Sequence, residues 1–203
     1  MDWSILHALN DFLFHHDGVE DPLLFYVNAS EALFIATLGV IFLAATGARH
    51  APWRRAAVAA VLSAGLALAI GAVISALVDR ARPFVVDANG VHLFSAHSAD
   101  PGFPSDHATA SFAIAMAIFL RHRGWGVVAL LAAAVLSVGR VAIGVHYPTD
   151  VLAGAALGVA AALALWAVEP VRRNVNALSD LLGSYWDRAL AWGAGLAGLS
   201  WRP

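Results

Sequence analysis

The chain has 203 residues, 60% of them hydrophobic and 13% charged, with a formal net charge of −2 and a mean hydropathy of +0.72. Soluble domains carry about twice that charged fraction, so composition places the chain among polytopic helical membrane proteins, and its near-neutral charge gives no footing for a nucleic-acid partner. Cysteine is absent, which excludes disulfides and thiolate metal or redox sites, and all twelve basic residues are arginine.

Taken in chain order, residues 5–14 come first. Ile5, Leu6, Leu9, Phe12 and Leu13 fall on one helical face, with the length of an interfacial helix but not of a span. No basic n-region precedes them, so no cleavable signal peptide is expected. Five predicted spans follow, at 22–47, 56–78, 105–120, 126–144 and 150–167, as apolar blocks near the length that crosses a bilayer. The third and fifth are short, which sets their polar starts slightly below the membrane surface. Their alanines and glycines favour close helix–helix approach. From 175 to 201, Asp180, Asp187 and Arg188 interrupt the apolar residues, so an interfacial or docked helix is expected there rather than a sixth span. Trp3, Trp53, Trp125, Trp166, Trp186, Trp192 and Trp201 mostly flank spans, as interface anchors do. The expected architecture is all-α: one domain over residues 1–203, a polytopic membrane helical bundle of five to six transmembrane helices with an interfacial N-terminal helix.

Arginine placement orients the spans. Arg49, Arg54, Arg55, Arg121, Arg123, Arg172 and Arg173 all fall on one face of a five-span arrangement, which the positive-inside rule makes cytoplasmic. The other face receives the acidic N-terminal segment, the loop from 84 to 104, and three arginines that run against the bias: Arg80, Arg82 and Arg140.

The chemistry gathers at that outer face in three places. Asp79-Arg80-Ala81-Arg82-Pro83-Phe84 ends the second span, and Phe103-Pro104-Ser105-Asp106-His107 opens the third. Gly139-Arg140, then His146-Tyr147-Pro148-Thr149-Asp150, joins the fourth to the fifth. Ionisable groups at membrane depth are costly unless paired or functional. Arginine guanidinium groups hold phosphate oxygens in a planar, multidentate grip. Ser105 reads as a helix N-cap with His107 in the first turn, and Pro148 as the first helical residue before Asp150. Two helix N-termini would then aim free N–H groups at one spot. Asp150 stands where a carboxylate can hydrogen-bond one nitrogen of His146 and leave the other free to attack. His107 can protonate a departing oxygen. Two histidines, a carboxylate and an arginine clamp amount to phosphoryl transfer with no metal or cofactor. His92 and His97, in the loop before Pro104, match no metal-site spacing and read as solvated.

At these residues the sequence resembles the type-2 phosphatidic-acid phosphatase superfamily, whose pattern is Lys-x6-Arg-Pro, Pro-Ser-Gly-His and Ser-Arg-x5-His-x3-Asp. Arg82-Pro83, Pro104-Ser105-Asp106-His107 and Arg140-x5-His146-x3-Asp150 carry the likeness, over about 56 to 167. The resemblance implies a metal-independent phosphatase working through a phosphohistidine. His146 would be the nucleophile, Asp150 its partner and His107 the acid, with Arg82, Arg140 and Ser105 on the phosphate. Three positions depart from the pattern. The lysine falls at Ser75, leaving Arg80 to supply part of its charge. Asp106 replaces a glycine, with its side chain turned outward or capping the helix at the phosphate site. Gly139 replaces a serine. The Arg-Ala-Arg-Pro-Phe run and the Pro-Ser-Asp-His form resemble the bacitracin-resistance branch, which dephosphorylates undecaprenyl pyrophosphate outside the bacterial cytoplasmic membrane. The expected partners are thus an isoprenoid or glycerol lipid phosphate and the surrounding membrane lipids. A phosphatidate or phosphatidylglycerophosphate monoesterase fits the same motifs. A transporter fits poorly, because no span is broken by Gly or Pro at mid-membrane beside polar partners.

Overall fold

The structure, a computed structural model, describes residues 1–196. Those residues contain helices and no strand. Helix α1 spans Asp2–Phe14, α2 Asp17–Ala44 and α3 Ala51–Val78, with a 3-10 turn at Ala48–His50 between the last two. A single turn, α4, covers Pro83–Val86, and α5 runs Asp106–Phe119, α6 Arg123–Ala142, α7 Pro148–Ala167 and α8 Glu169–Leu196.

By length and apolar composition α2, α3, α6 and α7 can each cross a membrane. The fifth expected span, α5, has 14 residues and so reaches only about 21 Å. It sits at the centre of the bundle, packed most extensively on α7 and then on α3 and α6. Ala108, Thr109, Ser111, Ala113, Ile114, Ala115, Ala117 and Ile118 are all buried. A helix walled by other helices need not match the bilayer thickness by itself, which is why it is short.

Small residues set the crossing of α5 and α7. A Cβ added at Gly158 would lie 2.3 Å from the Thr109 carbonyl oxygen, and one at Gly154 would lie 2.6 Å from that of Ser105. The two glycines, four apart on α7, therefore let the backbones touch, as small-xxx-small pairs do in membranes. The Ser105 N–H donates to the Asp150 carbonyl at 3.1 Å. The close crossing puts the N-termini of α5 and α7 side by side.

Two sequence expectations are revised and a third is met. The first long helix starts at Asp17 rather than at Pro22, which lies inside α2. Proline is tolerated near a helix start, and Asp17, Glu20 and Asp21 complement the dipole there. The apolar face of α1 is Leu6 and Leu13 with Asn10 between them, all buried, while Ile5 and Phe12 are exposed. The helix is docked on α6, α2 and α7 rather than merely lying at an interface. Asn10 is fully buried; its amide donates to the carbonyls of His92 and Ala142, each at 2.8 Å, and its oxygen accepts from the His92 N–H at 2.8 Å. One side chain thus ties α1 to the 87–105 loop and to the end of α6. Finally, α8 is held on α3 by paired arginines: Arg54 to Asp187 at 2.5 Å and Arg55 to Asp180 at 2.6 Å. That docking agrees with the expectation for the C-terminal segment as far as Leu196; the last part of that segment, with Trp201, lies outside the described residues.

Candidate active site

The site forms at the end of the bundle opposite the Arg54 and Arg55 pairs, where α3, α4, α5, α6 and α7 meet the 87–105 loop. Gly144, with φ +84°, makes the turn after α6; a Cβ there would meet Val91 at 2.7 Å and the His92 carbonyl at 2.8 Å. The turn delivers His146 to the interior, where it is 2% exposed. Its Nδ1 lies 2.9 Å from the Gly102 carbonyl. A carbonyl only accepts, so Nδ1 carries the proton. Its Nε2 lies 3.2 Å from Arg82 Nη1. A guanidinium only donates, so Nε2 holds a lone pair. Burial first, and then the Arg140 and Arg82 charges, holds the imidazole well below its ordinary protonation range. His146 is therefore neutral, buried and in the tautomer that keeps the lone pair on Nε2.

Arg82, the N-cap of α4, is anchored as well as charged. Its Nε donates to the Asp100 carbonyl at 3.0 Å and its Nη1 to the Val145 carbonyl at 3.2 Å. Arg140, in the last turn of α6, is 5% exposed, and its Nη2 donates to His97 Nε2 at 2.8 Å. Two buried donors beside these groups have no partner among the described residues: Arg140 Nε and Ser105 Oγ. Ser105 is the N-cap of α5 by position, yet its hydroxyl caps nothing. A buried unpaired donor costs about 1–3 kcal/mol, so two of them beside two arginines mark a place where oxygens of a ligand belong. His107, in the first turn of α5, makes no hydrogen bond among the described residues; it is largely desolvated by burial and then feels the charges of Arg140, His146, His97 and Arg82.

The structure thus brings together Arg82, Ser105, His107, Arg140 and His146. Asp150 is adjacent, but not in the expected way: its Oδ2 is 3.6 Å from His146 Nδ1, beyond hydrogen-bond length. That oxygen accepts the Tyr147 N–H at 2.8 Å instead, and the Gly102 carbonyl takes the imidazole proton. Arg80 departs furthest from expectation. Its guanidinium turns to the far side of Asp150, with Nη1 at 2.6 Å from Oδ1. A fully buried carboxylate captures a nearby guanidinium because its desolvation is otherwise uncompensated. Asp106 joins the cluster through no hydrogen bond or ion pair and lies beside Gly71 of α3. A side chain at Gly139 would meet the Val27 side chain of α2 at 2.6 Å, so a serine there would require α2 side chains to shift.

Sequence reasoning missed His97 and Asp100, which the 87–105 loop lays on the site. His97 donates from Nδ1 to the Ser98 carbonyl at 3.1 Å, leaving Nε2 to accept from Arg140. Asp100 Oδ1 lies 3.3 Å from Arg82 Nη2. No spacing rule flags either residue. An apolar cavity of about 620 Å³, lined by Phe34, Trp53, Ile118 and Trp125 among others, lies toward the opposite end between α2 and α6. It is not part of this site.

A membrane protein whose described residues are all helix and loop, with two buried arginines, a neutral imidazole and two helix N-termini at one end, has the makings of an oxyanion site. Residues 56–174 match the model of the PAP2 superfamily, and the chain belongs to that family. It is 33% identical over 161 residues to the bacitracin transport permease protein BcrC of Bacillus licheniformis, covering 79% of this chain and 77% of that one. It is 32% identical over 158 residues to the undecaprenyl-diphosphatase BcrC of Bacillus subtilis, covering 75% and 76%. In fold it is similar to a crystal structure of a transmembrane PAP2-type phosphatidylglycerolphosphate phosphatase from Bacillus subtilis. The TM-score is 0.56 at 18% identity, over 83% of this chain and 86% of that one.

Proposed function

We propose that this protein is an integral membrane phosphatase that hydrolyses undecaprenyl pyrophosphate to undecaprenyl phosphate and inorganic phosphate, recycling a cell-wall lipid carrier. The observation that carries the reading is the pair of buried, unpartnered donors, Ser105 Oγ and Arg140 Nε, beside a neutral His146. The similarity to an undecaprenyl-diphosphatase supports the choice of lipid.

In this reading the terminal phosphate sits among Arg82, Arg140, Ser105 and the N–H groups opening α5. Preorganised donors of this kind stabilise the charge that builds up on the equatorial oxygens. His146 Nε2 attacks phosphorus, a P–N bond forms and the bridging P–O bond breaks, releasing undecaprenyl phosphate. His107 protonates the departing oxygen as needed. Water, deprotonated by His107, then attacks the phosphohistidine, returning His146 and releasing phosphate. The arginines supply the positive charge that a metal ion gives in other phosphatases. Asp106 and Arg80 stay outside the direct grip.

The deciding assay is phosphate release in detergent from undecaprenyl pyrophosphate, phosphatidate and phosphatidylglycerophosphate, with and without chelator. We expect the pyrophosphate to be preferred by at least about tenfold in kcat/KM, a gap of 1.4 kcal/mol, with chelator harmless. Preference for either monoester makes the protein a lipid monoesterase, which the fold similarity to a phosphatidylglycerolphosphate phosphatase keeps in view. Loss of activity in chelator, restored by a divalent ion, overturns the metal-free mechanism.

The site is assigned to the outer side of a bacterial cytoplasmic membrane, because Arg49, Arg54, Arg55, Arg121, Arg123, Arg172 and Arg173 collect at the other end. A cysteine at Ala96, exposed in the site loop, should react with an impermeant thiol reagent added to intact cells. A cysteine at Gly124, where an added Cβ meets nothing within 4 Å, should react only after lysis. The chain has no native cysteine to confuse the result. The opposite labelling pattern puts the site in the cytoplasm and ends the wall-recycling role.

A further inference from the structure

We propose that Arg80 is a positioning residue of the reaction: it neutralises the buried Asp150 carboxylate and so keeps His146 uncharged and oriented for attack. The proposal rests on the reading of His146 as nucleophile.

The geometry is a chain of four groups from four segments. Asp2 of α1 lies 3.0 Å from Arg80 Nη2, and Arg80 Nη1 lies 2.6 Å from Asp150 Oδ1 and 2.7 Å from Thr149 Oγ1. The guanidinium lies 4.1 Å over the ring of Tyr147, which fixes its plane. Asp150 is 0% exposed, and its second oxygen accepts the Tyr147 N–H at 2.8 Å while lying 3.6 Å from His146 Nδ1. Arg80 therefore braces the residue next to the nucleophile as well as the carboxylate behind it. Its guanidinium hydrogen bonds go to Thr149, Asp150 and Asp2, away from the groups assigned to the phosphate.

The charge balance at His146 gives the brace its consequence. The groups facing the ring are Arg82 from the start of α4, Arg140 from α6, His107 from α5, His97 and the Gly102 carbonyl from the loop, and Asp150 from α7. Arg82 and Arg140 oppose a proton on Nε2; Asp100 and Asp106 act on those arginines, and Asp150, with Oδ2 3.6 Å from Nδ1, is the carboxylate set directly against the ring. Paired with Arg80, that anion is compensated. Unpaired, its field falls on the nearest ring, and a protonated His146 has no lone pair with which to attack. Arg80 thus acts through Asp150 on the nucleophile, where a phosphate ligand would act on the substrate.

The test uses the full-length protein in detergent with whichever lipid phosphate the panel shows to be its substrate, so failure of the phosphatase reading is visible before any Arg80 variant is made. In R80Q we expect kcat to fall about 10- to 100-fold, the scale of a slightly misplaced reacting group. KM and the vanadate inhibition constant should stay within about threefold, since no phosphate contact is lost. The acid limb of the kcat profile should move to higher pH by about 1 unit or more, as for an uncompensated carboxylate near an imidazole. R80K, which keeps the charge without the fork, should return the acid limb to its original place. In a D150N background, adding R80Q should cost less than about threefold, because residues acting through one another are not additive. A rise in KM and in the vanadate constant with an unmoved acid limb makes Arg80 a phosphate ligand and overturns the proposal. So does a full R80Q penalty in the D150N background. Should R80Q not fold, R80K decides alone: a lower kcat at unchanged KM and unchanged acid limb supports the proposal, and a raised KM overturns it.

Discussion

Replacing His146 by alanine is expected to abolish turnover, lowering kcat by at least about 10⁴-fold, the scale seen when a nucleophile is removed from an otherwise intact site. The reason is geometric. His146 is 2% exposed, with Nδ1 fixed on the Gly102 carbonyl and Nε2 3.2 Å from Arg82. The other imidazoles nearby are differently placed. His97 has its ring centre 6.5 Å from that of His146, and His107 sits on α5, assigned to the leaving group. The substitution leaves the Gly102 carbonyl without its partner, a cost of about 1–3 kcal/mol, so the fold should survive. Trapping with labelled substrate and a base quench should give an alkali-stable, acid-labile phosphoryl label on the unsubstituted protein and none on H146A. Activity of folded H146A within tenfold of the unsubstituted protein would remove His146 from the nucleophile's role.

Arg82→Ala should have the second largest effect, about 10²–10³-fold in kcat, as for losing a preorganised donor to a developing oxyanion. Arg82 does more than hold charge near the phosphate. It closes the Val145 carbonyl, just before the nucleophile, and the Asp100 carbonyl of the loop. Both acceptors lose their donor together, so a stability loss of about 1–3 kcal/mol should accompany the catalytic one. Arg82→Lys should restore the charge but not the several contacts, since an ammonium on a flexible stem cannot span a backbone carbonyl and an imidazole nitrogen at once. Vanadate binding separates this residue from Arg80: it should weaken in R82A and stay nearly constant in R80Q. Unchanged vanadate binding in folded R82A would mean that Arg82 only shapes the loop.

Helix existence was legible from the amino acids because the bilayer-length apolar blocks and their polar ends are local signals. Expected spans at 56–78, 105–120, 126–144 and 150–167 agree with α3, α5, α6 and α7 to within a few residues, apart from the start of α3 at Ala51. The convergence of His107, Arg140 and His146 was also legible. Spacing alone puts them at helix ends on one face, and Gly154 and Gly158 give α5 and α7 the approach that joins those ends.

What only the tertiary structure decided concerns direction and backbone. Sequence placed Arg82 on the phosphate and left Arg80 to supply part of the missing lysine's charge there, but two residues apart on an irregular segment they point opposite ways. Arg80 goes to the buried Asp150 and Arg82 to His146. Asp150 looked like the hydrogen-bond partner of His146, yet the Gly102 carbonyl takes that place, and a backbone oxygen leaves no trace in residue type. His97 read as a solvated loop residue and Asp100 gave no signal, because a loop has no periodicity to say which side chains face inward. Their direction follows from the path of the chain, pinned by Asn10 of α1 to the His92 backbone and by the Gly102 N–H to the Arg80 carbonyl. The sequence determined which groups could do the chemistry. Burial decided how they are paired, because an arginine and a carboxylate removed from water must each find a partner at hydrogen-bond distance, wherever in the chain it lies.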